Sequence, residues 1–137
     1  MNFKDLERLI SQDETKSLEL KKSTGELKEG MRSACAFLNS DGGILVFGIS
    51  PSLKIIGQIV NESTRRDVAQ IMSGIDPAVN PVVEYIDIPG KPGFQAIVLK
   101  FNPWVYGTRP STFQGKPYYR VESVTKVMPR DLFDERI

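Results

Sequence analysis

Residues 35–50, CAFLNSDGGILVFGIS, run from the small-residue end of a helix through two adjacent glycines into a hydrophobic strand. Apolar residues fill the run up to Gly48, which predicts a strand covered on both faces and therefore central in its sheet. A glycine after Asn39-Ser40-Asp41 can take the left-handed conformation that closes a helix, and the second relieves crowding before the strand. Gly42 and Gly43 are thus a structural turn, with Asn39 and Asp41 capping and shaping it. A phosphate-gripping loop needs a longer glycine spacing ending in Lys-Ser or Lys-Thr and opens a helix, whereas this loop closes one.

Outward from that turn, Leu27, Met31, Ala34 and Leu38 form the inner stripe of the preceding helix. Ser23-Thr24-Gly25-Glu26 has capping-box spacing at its start. Before it, residues 17–22, SLELKK, alternate as a short strand with Leu18 and Leu20 on one face and Glu19 and Lys21 on the other. Phe3, Leu6, Leu9 and Ile10 mark an amphipathic first helix. Downstream the pattern gives strand character in KIIGQIV and a helix over 64–72. A hairpin of residues 82–88 and 94–101 follows across PGKPG, then a strand at YYRV and a last helix opened by Pro129. The expected fold is a mixed α/β (α+β) domain over residues 1–137, with one sheet of mixed strands and flanking helices.

The chain has 137 residues, 40% of them hydrophobic and 26% charged, as in ordinary globular domains. No apolar run approaches the roughly 18 residues that cross a bilayer, and the charged N-terminus has no signal-peptide pattern. The expectation is a cytoplasmic protein without membrane partners. A lone cysteine and no histidine exclude an internal disulfide, a zinc site and triad chemistry within the chain.

Net charge is only +1, but residues 91–130 hold seven lysines and arginines against Glu122 alone. Phe94, Phe101, Trp104, Tyr106, Phe113, Tyr118 and Tyr119 are interleaved with them. Cations contact phosphates and aromatics stack on bases, so this interleaving suits a nucleic-acid surface.

Glu14-Thr15-Lys16-Ser17-Leu18-Glu19-Leu20-Lys21 is followed by Ala36-Phe37-Leu38-Asn39-Ser40-Asp41-Gly42-Gly43 and Leu45-Val46-Phe47-Gly48-Ile49. These segments resemble the Schlafen AlbA-type domain, whose pattern couples E-x-x-x-x-E-F-K to A-F-A-N-x-x-G-G. Ile56-Gly57, Ile75-Asp76-Pro77 and Tyr118-Tyr119-Arg120-Val121 extend the resemblance over nearly the whole chain in the expected order. It implies a bacterial stand-alone domain that binds nucleic acid, DNA or RNA, in transcription regulation. Lys21, Lys22, Arg109, Lys116, Arg120 and Lys126 are the expected phosphate contacts, and Trp104, Tyr106 and Tyr119 the expected base platforms.

The resemblance also implies an alternative, a metal-dependent ribonuclease. Glu14 and Glu19 match two of that site's three acids and would hold magnesium or manganese, with Lys21 steadying the scissile phosphate. Both acids reach one metal only if the chain bends between them. The third acid of the pattern is missing, since Ser50-Pro51-Ser52-Leu53-Lys54 supplies none. The expectation is therefore a non-catalytic domain that requires no cofactor. A nucleotide-sensing or protein-interaction module is a third reading, and an exposed sheet edge would allow a homodimer.

Overall fold

The computed structural model covers residues 1–137. Helix α1 (Phe3–Ile10) starts with a reciprocal cap in which Asn2 Oδ1 accepts from the Asp5 amide and Asp5 Oδ2 from the Asn2 amide, both at 2.9 Å. Strand β1 (Leu18–Lys21), helix α2 (Leu27–Leu38) and strand β2 (Gly43–Phe47) follow. Next come β3 (Gln58–Ile59), α3 (Glu62–Met72), β4 (Ile75–Asp76), β5 (Val82–Asp87) and β6 (Phe94–Phe101). The chain closes with β7 (Thr112–Phe113), β8 (Tyr118–Val121), β9 (Val124–Val127) and α4 (Arg130–Glu135).

The main sheet is mixed, as expected. Strand β1 runs parallel to β2, β2 antiparallel to β6, and β6 pairs antiparallel with both β5 and β3. Strands β4 and β7 form one small ribbon, and β8 and β9 another. Side chains alternate across the main sheet and build two cores. Leu45, Phe47, Ile97 and Leu99 meet Met31, Ala34 and Phe37 of α2 on one face. Val46, Ala96 and Val98 meet Leu6 and Ile10 of α1, together with Leu18, on the other. Apolar contact on both faces is why β2 reads as an unbroken hydrophobic run.

The same alternation sets up the functional site. Leu18 and Leu20 belong to the α1 side, so Glu19 between them is driven into the α2 side, where only 6% of it is exposed.

The glycine turn is structural. Gly42 sits at φ +75° and its amide donates to the Phe37 carbonyl at 2.9 Å, closing α2. A Cβ on Gly43 would lie 2.6 Å from the Phe37 ring, so only glycine lets β2 start against that side chain. Asp41 is exposed and pairs with Lys16 at 2.7 Å. Asn39 departs from the expectation of a local cap. It is fully buried, with Nδ2 donating to the carbonyls of Ser111 at 2.8 Å and Tyr118 at 2.7 Å, and Oδ1 accepting from the Ser111 amide at 2.7 Å.

Two other local readings change. Helix α2 is preceded by a 3-10 turn over 24–26, where Ser23 Oγ accepts from the Gly25 amide and Glu26 reaches back to the Lys22 amide. In KIIGQIV only Gln58 and Ile59 pair with β6. Gly57, at φ +63° and packed on Ile88 and the Gln95 carbonyl, turns the chain before it can extend further.

Candidate functional site

The Glu19 carboxylate lies where β1, α2 and the β8–β9 ribbon meet. Arg120 Nη1 donates to Glu19 Oε1 at 2.9 Å and Ser33 Oγ to the same oxygen at 3.2 Å, while Lys21 Nζ stands 3.9 Å from Oε2. The Arg120 side chain is fully inaccessible. Its Nη1 also donates to Thr125 Oγ1 at 2.9 Å, and its Nη2 to the carbonyls of Thr15 at 2.9 Å and Leu18 at 3.2 Å. The guanidinium stacks over Phe37, 5.1 Å from the ring centre, and its Nε has no partner. Arg120 is therefore withdrawn from the expected phosphate contacts. A residue on a two-stranded ribbon reads as solvated in sequence, but this ribbon lays one face on α2 and sends Arg120 inward to a buried acid.

Glu14 approaches the same carboxylate from the bend before β1, where Asp13 takes φ +57° and Thr15 bridges to Leu18. Its Oε2 accepts from the Leu20 amide at 3.1 Å. Desolvation, and a hydrogen bond to Glu19 that needs a proton, raise the Glu14 carboxyl from the ordinary 4.5 to about 7. Glu19 moves the other way. Burial works to raise it, but hydrogen bonds from Glu14 and Arg120 and the charges of Arg120 and Lys21 more than offset that and leave it below the ordinary value.

A carboxyl whose folded pKa lies above its unfolded value favours folding below about 4.5 and progressively loses that advantage up to about 7. Glu14→Gln should therefore flatten the fall in stability between those pH values, read from urea unfolding midpoints at pH 5 and pH 8, and leave Tm higher than wild type at pH 8. An unchanged slope in that window would show that the Glu14 proton is not held by Glu19.

These carboxyls do not fit a divalent ion. One Glu19 oxygen is occupied by Arg120 and Ser33 and the other faces Lys21, so that carboxylate already has cationic partners on both oxygens. No group of three or more aspartate, glutamate, cysteine or histidine side chains converges anywhere in the fold.

Beside this buried cluster opens a cleft of about 460 Å³ between α2 and β9, lined by Glu19, Lys21, Arg32, Lys116, Thr125 and Lys126 among others. Lys21 also borders a neighbouring hollow of about 340 Å³ with Glu14, Lys22 and Glu26. Lys21 is held by Glu29 at 3.7 Å and by Glu19, whereas Arg32, Lys116 and Lys126 make no ion pair. A third hollow of about 470 Å³, between the end of α2 and the start of β5, has Lys100 as its one charged residue, and Glu84 neutralises it at 3.1 Å. Chemistry favours the α2–β9 cleft.

The other expected contacts divide. Lys22, Lys116 and Lys126 are exposed, and Tyr119 is half-buried opposite Lys126 in the ribbon. Arg109 is exposed but paired with Asp76 at 3.3 Å. Trp104 is half-buried and Tyr106 is 90% exposed, away from the residues that line the cleft. Sequence reasoning missed Arg32, Ser33 and Thr125. The first two lie on α2, ten and nine residues before its exit at Gly42, and their signal was the break in the apolar stripe.

The family model for the Schlafen AlbA_2 domain matches residues 14–129, and the chain belongs to that family. No curated protein matches it in sequence. The solved structure of the DIP2311 protein from Corynebacterium diphtheriae superposes with a TM-score of 0.57 at 15% identity over 88% of this chain, which is a likeness of fold. The chain spans only 23% of that protein. No helix is long and apolar enough to cross a membrane.

Proposed function

We propose that this Schlafen AlbA_2 domain binds nucleic acid without cutting it, using the cleft between α2 and the β8–β9 ribbon, and that DNA binding in transcription control is the role it serves. One observation carries the reading. Arg32, Lys116 and Lys126 converge on one cleft without forming an ion pair, and together with Lys21 they outnumber its two acids, Glu19 and Glu29. Glu19 is balanced from below by buried Arg120, and Glu29 faces Lys21 at 3.7 Å. Unpaired cations in a concave surface are what a phosphate backbone requires.

Against the ribonuclease reading stand the contacts of Arg120, Ser33 and Lys21 with Glu19. The nucleotide-sensing reading has no glycine loop at a helix start to support it.

Binding follows from fluorescence anisotropy of labelled duplex DNA, single-stranded DNA and RNA at increasing salt. Three phosphate contacts on duplex give a slope of log affinity against log salt of about −2.7, or a loss of about 40-fold between 50 and 200 mM. A flat response would remove the electrostatic basis of the proposal.

A further inference from the structure

The stretch from Ile88 to Val121 contains no acidic residue and carries Lys91, Lys100, Arg109, Lys116 and Arg120. Within it, residues 102–111 connect β6 to β7 and raise an aromatic tip. Tyr106 is 90% exposed and its neighbour Val105 is 63% exposed, unusual for large apolar side chains on a loop with few other hydrophobic residues.

The tip is braced from beneath. The Trp104 ring meets the Tyr106 ring edge to face, with centres 6.0 Å apart and planes at 69°. Arg136 covers Trp104 at 4.3 Å and donates from Nη1 to the Asn39 carbonyl at 2.7 Å. Trp104 Nε1 donates to the Thr108 carbonyl at 3.0 Å, and its amide to the Ser40 carbonyl at 2.9 Å. Thr108 closes the loop through its amide and hydroxyl, at 3.1 and 2.6 Å from the Val105 carbonyl. Each bond fixes a group that would otherwise have to be ordered on binding, so Tyr106 is presented at low entropic cost.

Both the tip and the cleft are anchored on α2. Trp104 and Arg136 dock on Ser40 and Asn39 just past its end, and Arg32 of the cleft lies seven residues before Asn39, about two turns earlier and on nearly the same side.

We infer that Tyr106, braced by Trp104 and Arg136, is a stacking site for an unpaired nucleobase, so that a single strand held in the cleft gains a contact that a duplex there does not. This rests on the nucleic-acid reading of the cleft. In a duplex the base faces are already stacked on one another, whereas a single strand offers a free face to an aromatic ring. The tip carries no acid to repel the adjoining phosphates.

Trp104 is the only tryptophan of the chain, so its fluorescence reports on this site alone. The test titrates the protein with a 12-nucleotide DNA strand, the RNA of the same sequence and the corresponding blunt DNA duplex. Trp104 emission and anisotropy are both followed. Either single strand should quench Trp104 and the duplex should not. Tyr106→Ala should weaken single-strand binding about 5- to 100-fold with duplex binding unchanged, and Tyr106→Phe should keep wild-type affinity. Lys116→Ala/Lys126→Ala should weaken every polymer.

Single-strand binding that ignores Tyr106→Ala and leaves Trp104 unquenched would overturn the stacking site while the cleft reading stands. The tip would then be a protein-docking feature. Absence of binding to all three probes at low salt would overturn both.

Discussion

Arg120→Ala should lower stability by about 3–5 kcal/mol, the range for removing one partner of a buried ion pair, and lower Tm by about 12–20 °C. The reason lies in what stays behind. Glu19, 6% exposed, would keep its charge with Lys21 at 3.9 Å, the Ser33 hydroxyl and the Glu14 carboxyl to meet it, and no buried cation. The carbonyls of Thr15 and Leu18 would lose the donor that ties the bend before β1 to the ribbon. Arg120→Lys should recover little, since one ammonium cannot reproduce a fork that serves Glu19, Thr125 and two carbonyls. Arg120→Met with Glu19→Met should be milder than Arg120→Ala alone, because no buried charge is then orphaned. Thermal unfolding of the three variants checks the order, and an Arg120→Ala protein as stable as wild type would mean that the guanidinium is not buried against Glu19.

Asn39→Ala should cost about 3 kcal/mol, from three lost hydrogen bonds and the unmet groups they leave. The side chain holds the carbonyls of Ser111 and Tyr118 and the Ser111 amide, so it fixes both the start of β7 and the ribbon against the end of α2. Its loss would loosen the wall of the cleft as well as the fold. Urea unfolding followed by circular dichroism gives the stability loss. A change below about 0.5 kcal/mol, the range of an exposed site, would return Asn39 to the role of a local turn residue.

Much of the architecture is written in periodicity. The alternation in residues 17–22, the helical stripe from Leu27 to Leu38 and the paired apolar runs at 82–88 and 94–101 all became the elements they suggested. These patterns report burial, and burial is what alternation encodes.

The ribbon was half missed. Its turn, Glu122-Ser123, lacks the Asn-Gly signal of a tight hairpin even though Glu122 adopts φ +53°. Without β9, the inward face shared by Arg120 and Thr125 could not be inferred, and Arg120 passed for a surface cation. Asn39 was misread for a related reason. A polar residue at a helix end has a local explanation ready, and partners 72 and 79 residues away leave no mark in the local pattern. In both cases the missing information is long-range polar pairing, which has no period.

The cleft was legible in outline. Lys116 and Lys126 came from the charge excess of one segment, while Arg32 came from the far side of α2 and Arg120 left the set. The same segment explains why the cleft is positive at its surface, since Lys116 and Lys126 add to Arg32 and Lys21 against Glu29 and a Glu19 already balanced from inside.

The most direct measurement is the salt titration of duplex binding repeated on Lys116→Ala/Lys126→Ala. Both side chains are exposed and unpaired, so the fold should be intact, as an unchanged Tm would verify. The cleft account predicts that the slope falls from about −2.7 to about −0.9, one contact remaining at Arg32. A double variant that binds with the wild-type slope would place the nucleic acid elsewhere on the domain and contradict the account.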